Sequence, residues 1–129
     1  MLCQIVRSEK YFTIKHTSEI LNRAELELGY SQLTDMARLT DYKTGVCDFS
    51  SIRKVTVTEK DAQDIINAMV YIFETRPDFH LITIVPDTDV KVLASNIHSQ
   101  LRKKFGYQNL HLVPDTGSVE DIVDQLETG

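Results

Sequence analysis

Asp48 is the residue whose type and position best fit a chemical role, such as accepting a phosphoryl group, in this sequence. It lies in the short apolar segment 46–49, which is typical of a buried strand, and α/β proteins place functional residues where such strands end. An aspartate there can accept a phosphoryl group, but that chemistry also needs an acidic pair after the first strand and a lysine after the last. Residues 4–8 and 113–114 are followed by neither. We therefore expect Asp48 to bond backbone groups in the loop that follows it.

The histidines and cysteines form no motif of a known catalytic or metal-binding type. The four histidines are scattered along the chain: His16, His80, His98 and His111. No two of them have the H-x-x-x-H spacing that puts two metal ligands on one helix face. There is also no G-x-S-x-G turn and no glycine-rich phosphate loop. The sequence therefore predicts no catalytic residues, no cofactor and no metal site, and hence a protein that is not an enzyme.

The two cysteines, Cys3 and Cys47, are too few and too far apart for a redox or metal motif. Cys47 lies within the apolar strand and is expected to pack as an inert core thiol. Cys3 is near the terminus, where we expect a thiol reagent to label it quickly. A reducing, cytoplasmic setting suits both, and the sequence starts with no signal peptide and contains no membrane-length apolar segment.

A long amphipathic helix after the central strand organises the rest of the chain. Thr58 stands at its N-cap position, and Asp61 follows at capping-box spacing. The apolar residues behind the cap recur at helical spacing: Ala62, Ile65, Ile66, Met69, Val70 and Phe73. This face must lie on a sheet.

The C-terminal part alternates between strands and helices. Segment 80–85 is a nearly continuous apolar run, which fits a strand covered on both faces. The next helix has an inward face of Val90, Leu93, Ala94, Ile97, Leu101 and Phe105, and ends at Gly106. Strand 110–113 follows. A last helix opens at Ser118, with Asp121 in capping-box position and Ile122, Val123 and Leu126 facing inward. This alternation implies parallel strands with helical crossovers.

The first third of the chain is less regular. Residues 4–6 and 11–14 predict an antiparallel hairpin, with the turn at residues 8–10. Residues 30–39 predict a helix. Residues 20–28 fit both a helix and an alternating strand, and Gly29 weakens any single long helix through this region. The predicted order is therefore β-β-α-β-α-β-α-β-α in one domain, residues 1–129.

Composition excludes one class of partner. A net charge of −5 and a pI near 5.3 argue against nucleic-acid binding, which usually shows a basic face. The single basic cluster, residues 102–104, closes a predicted helix, where it complements the helix dipole.

Three segments resemble the SpoIIAA-like (STAS-like) superfamily: GVCDFSSIRKVTVTEKDAQDII, HLITIVPDTDVKVLASNIHSQL and NLHLVPDTGSVEDIVDQL. The resemblance covers residues 44–127 by motif and the N-terminal third by element order. It implies an α/β fold with a mixed, mostly parallel sheet of about five strands and about four helices. It also implies a module that works by binding.

The best-known members of that superfamily are anti-anti-sigma factors, in which a partner kinase phosphorylates a serine of an Asp-Ser-Ser-Gly sequence before the central helix. Residues 56–59 occupy that place here, and only Thr58 could stand for the acceptor, while the glycine is missing. We therefore expect the phospho-switch not to be retained. Asp48, Thr56 and Thr58 are the candidate interaction residues, at or near the place of the phospho-acceptor.

Two functions of different class follow. One is a regulatory or scaffolding module that binds another protein or a second copy of itself as a homodimer. The alternative is a protein that binds a small apolar ligand, as relatives in this superfamily and in the Sec14-like fold do. A flat exposed apolar patch would favour the first, and an apolar groove between helices the second.

Overall fold

The computed structural model describes residues 3–128. Its strands are β1 (Cys3–Arg7), β2 (Phe12–His16), β3 (Ile20–Leu21), β4 (Thr44–Asp48), β5 (Lys54–Val55), β6 (His80–Ile84) and β7 (Leu110–Val113). Its helices are α1 (Arg23–Leu39), α2 (Glu59–Thr75), α3 (Asp89–Phe105) and α4 (Thr116–Thr128).

Five of the described strands form one sheet in the order β1-β2-β4-β6-β7. The hairpin β1–β2 is antiparallel, with Cys3 opposite His16, and every other neighbouring pair in this sheet is parallel. The α/β class and the mixed, mostly parallel sheet with four helices are thereby confirmed. The short strands β3 and β5 form a separate parallel pair, which the sequence pattern did not predict.

The sheet separates two apolar cores. Leu81 and Cys47 face one side and pack with α1, α2 and α3, whereas Val46 and Ile82 face the other side. There, α4 covers them with Val119 and Val123. Strand β6 is thus covered on both faces, as its apolar sequence predicted. Among the described residues, no helix has the length and apolarity needed to cross a membrane.

Helix α2 begins as predicted. Thr58 is its N-cap and Asp61 completes the capping box. On the predicted inward face Val70 is half-buried and the other members are buried, and Ile72 joins them. Gly106 ends α3 with a φ of 74°, the left-handed conformation that glycine adopts without a Cβ penalty.

Helix α1 is longer than predicted, because it runs through Gly29 as one helix. Gly29 is buried against the His16 ring, and a Cβ at this position would lie 2.6 Å from the ring carbon Cε1. The glycine therefore marks a close contact between α1 and β2 inside a continuous helix. Residues 23–28 are helical, and only Ile20–Leu21 is strand.

Three further expectations are wrong. Cys3 is fully buried, because β1 places it under α1 despite its terminal position. Phe105 is 43% exposed and stacks on Tyr107 at the end of α3. The last helix begins at Thr116, before Ser118, because the Asp115 side chain accepts the Ser118 backbone N–H at 2.8 Å.

Candidate functional site

One edge of the sheet gathers the polar residues of interest. Strands β2 and β4 are parallel and end at this edge with His16 and Asp48. The chain leaves this edge from β2 through β3 into α1, and from β4 through β5 into α2. Ligand sites of α/β proteins lie at this carboxyl edge.

Asp48 and Thr56 both form hydrogen bonds that hold the loops around them. Asp48 Oδ1 accepts the backbone N–H of Ser50 at 2.9 Å, the loop-bonding role expected from sequence. Thr56 is exposed, and its backbone N–H donates to the carbonyl of Leu21 at 2.9 Å. Within residues 3–128, no hydrogen bond joins Asp48 to Thr56 or Thr58.

Thr58 is held by a reciprocal pair of bonds. Its Oγ1 accepts the backbone N–H of Asp61 at 3.2 Å, and its own backbone N–H donates to Asp61 Oδ2 at 3.1 Å. The bond from the Thr58 backbone lowers the pKa of the Asp61 carboxyl, and the Thr58 hydroxyl and Arg23 lower it further. Asp61 is therefore an anion at neutral pH, next to the Thr58 hydroxyl.

Arg23 connects the first turns of α1 and α2. Its Nη1 lies 2.9 Å from Asp61 Oδ1, and its Nη2 lies 3.4 Å from Asp64 Oδ2. Its Nε also lies 3.7 Å from Glu27 Oε2 on its own helix. One guanidinium thus faces three carboxylates, so this surface carries more negative than positive charge.

A groove of about 320 Å³ runs between α1 and α2 behind Arg23. Its apolar lining comes from both helices: Leu26 and Tyr30 from α1, and Ile65 and Ala68 from α2. Its polar lining consists of Arg23, Glu27, Ser31, Thr34, Asp61 and Asp64. The volume lies at the small end of the roughly 300–1,000 Å³ that is usual for ligand pockets.

A second cluster lies inside the protein, on the other side of the first turn of α1. Cys3, His16 and Glu25 are each at most 1% exposed. The Cys3 Sγ lies 3.4 Å from His16 Nδ1, and Glu25 Oε1 lies 3.2 Å from the same nitrogen. Sulfur, nitrogen and oxygen ligand atoms all lie within 4.8 Å of one another.

The surroundings of this cluster disfavour charge on the thiol and the imidazole. Burial, with a contribution from Glu25, raises the pKa of Cys3 to about 11. Burial lowers the pKa of His16, although Glu25 and Asp48 oppose that shift. The cluster thus brings together three buried side chains, each of a kind that binds metal ions in proteins.

The absence of an H-x-x-x-H spacing did not reveal this cluster, because its three residues belong to three different elements, β1, β2 and α1. Part of the signal was nevertheless present in the sequence. The predicted hairpin, with its turn at residues 8–10, brings Cys3 close to the end of the partner strand, although the observed pairing of Cys3 with His16 is shifted by one residue from a hairpin centred on residue 9. Glu25 carried no such signal, since its segment was open between helix and strand.

Comparison with solved structures identifies the fold. A Ser-to-Glu variant of RsbS from Moorella thermoacetica superposes with a TM-score of 0.66 at 12% sequence identity, and the match covers 98% of each chain. The anti-sigma factor antagonist SpoIIAA, in its unphosphorylated form, matches with a TM-score of 0.57 at 11% identity over 97% of each chain. No protein-family model matches the sequence, and no curated protein does. The protein therefore has the SpoIIAA-like (STAS-like) fold.

Proposed function

We propose that this protein is a non-catalytic regulatory module, one domain over residues 1–129, that acts by binding another protein. The observation that carries the proposal is the match of its fold, over 97% of both chains, to SpoIIAA, an anti-sigma factor antagonist. The two buried free thiols also support a cytoplasmic location for such a module.

The start of α2 and the groove beside it form the surface that we assign to the partner. Glu27 and Asp64 are exposed there, and the groove behind them offers apolar contact from Leu26 and Ile65. A partner that suits this surface presents basic side chains around one apolar side chain that enters the groove.

In our proposal, Thr58 is a structural cap and carries no phosphate. Its hydroxyl already accepts the Asp61 backbone N–H, and the Asp61 carboxylate lies beside it. A phosphate there would repel Asp61 and the adjacent Glu59, although the helix dipole would favour it. Asp is itself a favoured N-cap residue, so Thr58→Asp is expected to leave stability and partner binding nearly unchanged. Loss of binding by a folded Thr58→Asp variant would restore the phospho-switch.

The groove also favours the alternative function, binding of a small apolar ligand. It lies between two helices and has an apolar floor, which is the arrangement expected for such a ligand. The carboxylates at its rim would select against an anionic headgroup.

The experiment that separates the two functions is affinity purification of the full chain from its native cells, followed by native mass spectrometry. Protein binding predicts a retained protein at defined stoichiometry. Asp64→Arg should abolish its retention, because the substitution reverses charge on the assigned surface. Asp89→Arg is the matched control, since Asp89 is also an exposed aspartate near the start of a helix, α3.

A retained protein that survives Asp64→Arg would contradict the assigned surface. A retained small molecule with no bound protein would favour the ligand alternative. A retained mass that corresponds to a second copy of the chain would identify the partner as the protein itself.

A further inference from the structure

We propose that Cys3, His16 and Glu25 bind a zinc ion that fastens the β1–β2 hairpin to the first turn of α1. Each ligand belongs to a different element. Cys3 and His16 lie opposite each other on paired strands, and their side chains share the sheet face that α1 covers. Glu25 faces them from the first turn of α1. The site faces the interior, on the opposite side of the first turn of α1 from the partner surface, and its occupancy does not depend on the proposed function.

Two of the three separations between ligand atoms match a tetrahedral zinc site. With Zn–S near 2.3 Å and Zn–N and Zn–O near 2.0 Å, tetrahedral angles put S and N about 3.5 Å apart and N and O about 3.3 Å apart. The corresponding distances are 3.4 Å from Cys3 Sγ to His16 Nδ1 and 3.2 Å from His16 Nδ1 to Glu25 Oε1. Cys3 Sγ and a Glu25 oxygen lie within 4.8 Å of each other, so a metal at the common centre requires these two side chains to approach to the tetrahedral separation of about 3.5 Å.

Hydrogen bonding alone explains the arrangement less well. An imidazole nitrogen has one in-plane bonding direction, so His16 Nδ1 makes one good hydrogen bond. Two groups, the Cys3 sulfur and a Glu25 oxygen, nevertheless converge on this one nitrogen. A cation between them would be shared by all three. Its two positive charges would also balance the thiolate and the carboxylate in this buried site.

Neighbouring groups hold the ligands in place, as the outer contacts of metal sites usually do. The Ser18 hydroxyl donates to Glu25 Oε2, which orients the carboxylate. The His16 ring stacks on Phe49 with centroids 4.4 Å apart, and its Cε1 and Nε2 atoms lie against Gly29. The absence of a Cβ at Gly29 makes room for the ring at this distance.

The donor set selects the ion. A thiolate with an imidazole favours zinc over magnesium or calcium, which prefer oxygen ligands only. Three protein ligands leave a fourth position, which Glu25 Oε2 can fill if the carboxylate binds through both oxygens. Because the ligands are buried and this coordination leaves no open position, the site has the character of a structural rather than a catalytic zinc centre.

The test uses the full chain after treatment with a chelator. The protein is titrated with Zn²⁺ alone, passed through gel filtration, and its metal content is measured by inductively coupled plasma mass spectrometry. We expect one zinc ion per chain and a higher unfolding midpoint in denaturant. A parallel titration with Co²⁺ should give the intense visible bands of a tetrahedral site and a thiolate-to-cobalt charge-transfer band.

Variants locate the site. Cys3→Ser should remove the charge-transfer band. Glu25→Gln replaces a direct ligand and should weaken Zn²⁺ binding by more than about 100-fold, the upper end of the loss typical for outer-shell partners. Cys47→Ser is the matched control, since Cys47 is the other buried cysteine, and it should keep the band. The chain has only two cysteines, so a band that persists in Cys47→Ser identifies Cys3 even if the other variants do not fold. Absence of the band in the wild type, its loss in Cys47→Ser, or Zn²⁺ binding unchanged in Cys3→Ser would each overturn the proposal.

Discussion

Acidification should destabilise this protein through His98, which projects from α3 into the core. His98 is 1% exposed, and its Nε2 lies 3.3 Å from the Thr83 hydroxyl on β6. Its Nδ1 is buried and has no hydrogen-bond partner in the described part of the chain. The protonated ring carries an N–H on both nitrogens, and the one on Nδ1 would have no acceptor, so the folded state favours the neutral ring.

The magnitude follows from the pKa of this ring in the folded and unfolded states. Burial lowers the pKa of His98 to about 4 in the folded protein, and the nearby charges of Arg102 and His111 act in the same direction. The unfolded chain has a pKa near 6.5 and therefore binds a proton first as the pH falls. Stability is therefore fully present above about pH 7 and declines below it. Between pH 8 and pH 5 the loss attributable to His98 is about 2 kcal/mol, and it levels off below pH 4.

The assay is urea denaturation of the wild type and a His98→Gln variant at several pH values between 8 and 5. Burial also lowers the pKa values of His16, His80 and His111, so the wild-type curve alone does not isolate His98. The useful quantity is the difference in unfolding free energy between wild type and variant, which should fall by about 2 kcal/mol over this range. His80→Gln is the control, because His80 is only half-buried and its difference should change less. Parallel wild-type and His98→Gln curves would refute the reasoning.

Three further predictions concern the core and the caps. Ile66 on α2 is 1% exposed, so Ile66→Ala should lower the unfolding free energy, measured by denaturant titration, by about 2–5 kcal/mol. Asn67 lies on the exposed face of the same helix, so the control Asn67→Ala should change the unfolding free energy by less than about 0.5 kcal/mol. Thr58→Ala should cost about 1 kcal/mol in the same assay and Thr58→Ser almost nothing; an equal loss in both would argue against the hydroxyl cap. Cys3 and Cys47 should both react slowly with a thiol reagent in the folded protein and quickly in denaturant, because both are buried and burial raises both pKa values. Fast labelling of either thiol in the folded protein would contradict its placement.

Local signals in the sequence predicted the elements that local physics determines. The start of α2 was predicted because both of its signals are local in sequence: the N-cap at Thr58 and the apolar pattern of the residues that follow it. Helix α1 was predicted only in its second half. Gly29 weakens a helix by its own propensity, but here its missing side chain permits contact with His16, which lies far away in sequence.

Contacts between distant segments account for the other errors. Cys3 was expected to be accessible because it lies near the terminus, but its partners are His16 and Glu25, and helix packing buries all three. Phe105 fitted the apolar pattern of the inward face of α3. The helix ends at this residue, however, and the ring stacks on Tyr107 at the end of the helix instead of entering the core. The apolar period shows which side of a helix a residue faces. Whether the side chain is buried also depends on whether a neighbouring element extends far enough to pack against it.

The first turn of α1 links the buried cluster to the outer surface. Successive residues of a helix are rotated by about 100°, so residues two apart point to nearly opposite sides. Glu25 accordingly faces inward to His16, while Arg23 faces outward to Asp61 on α2. The same turn is therefore held from inside by the cluster and from outside by the ion pair that closes the groove. A change that loosens Glu25 in the interior is expected to displace Arg23 as well, because both side chains leave the same turn of backbone.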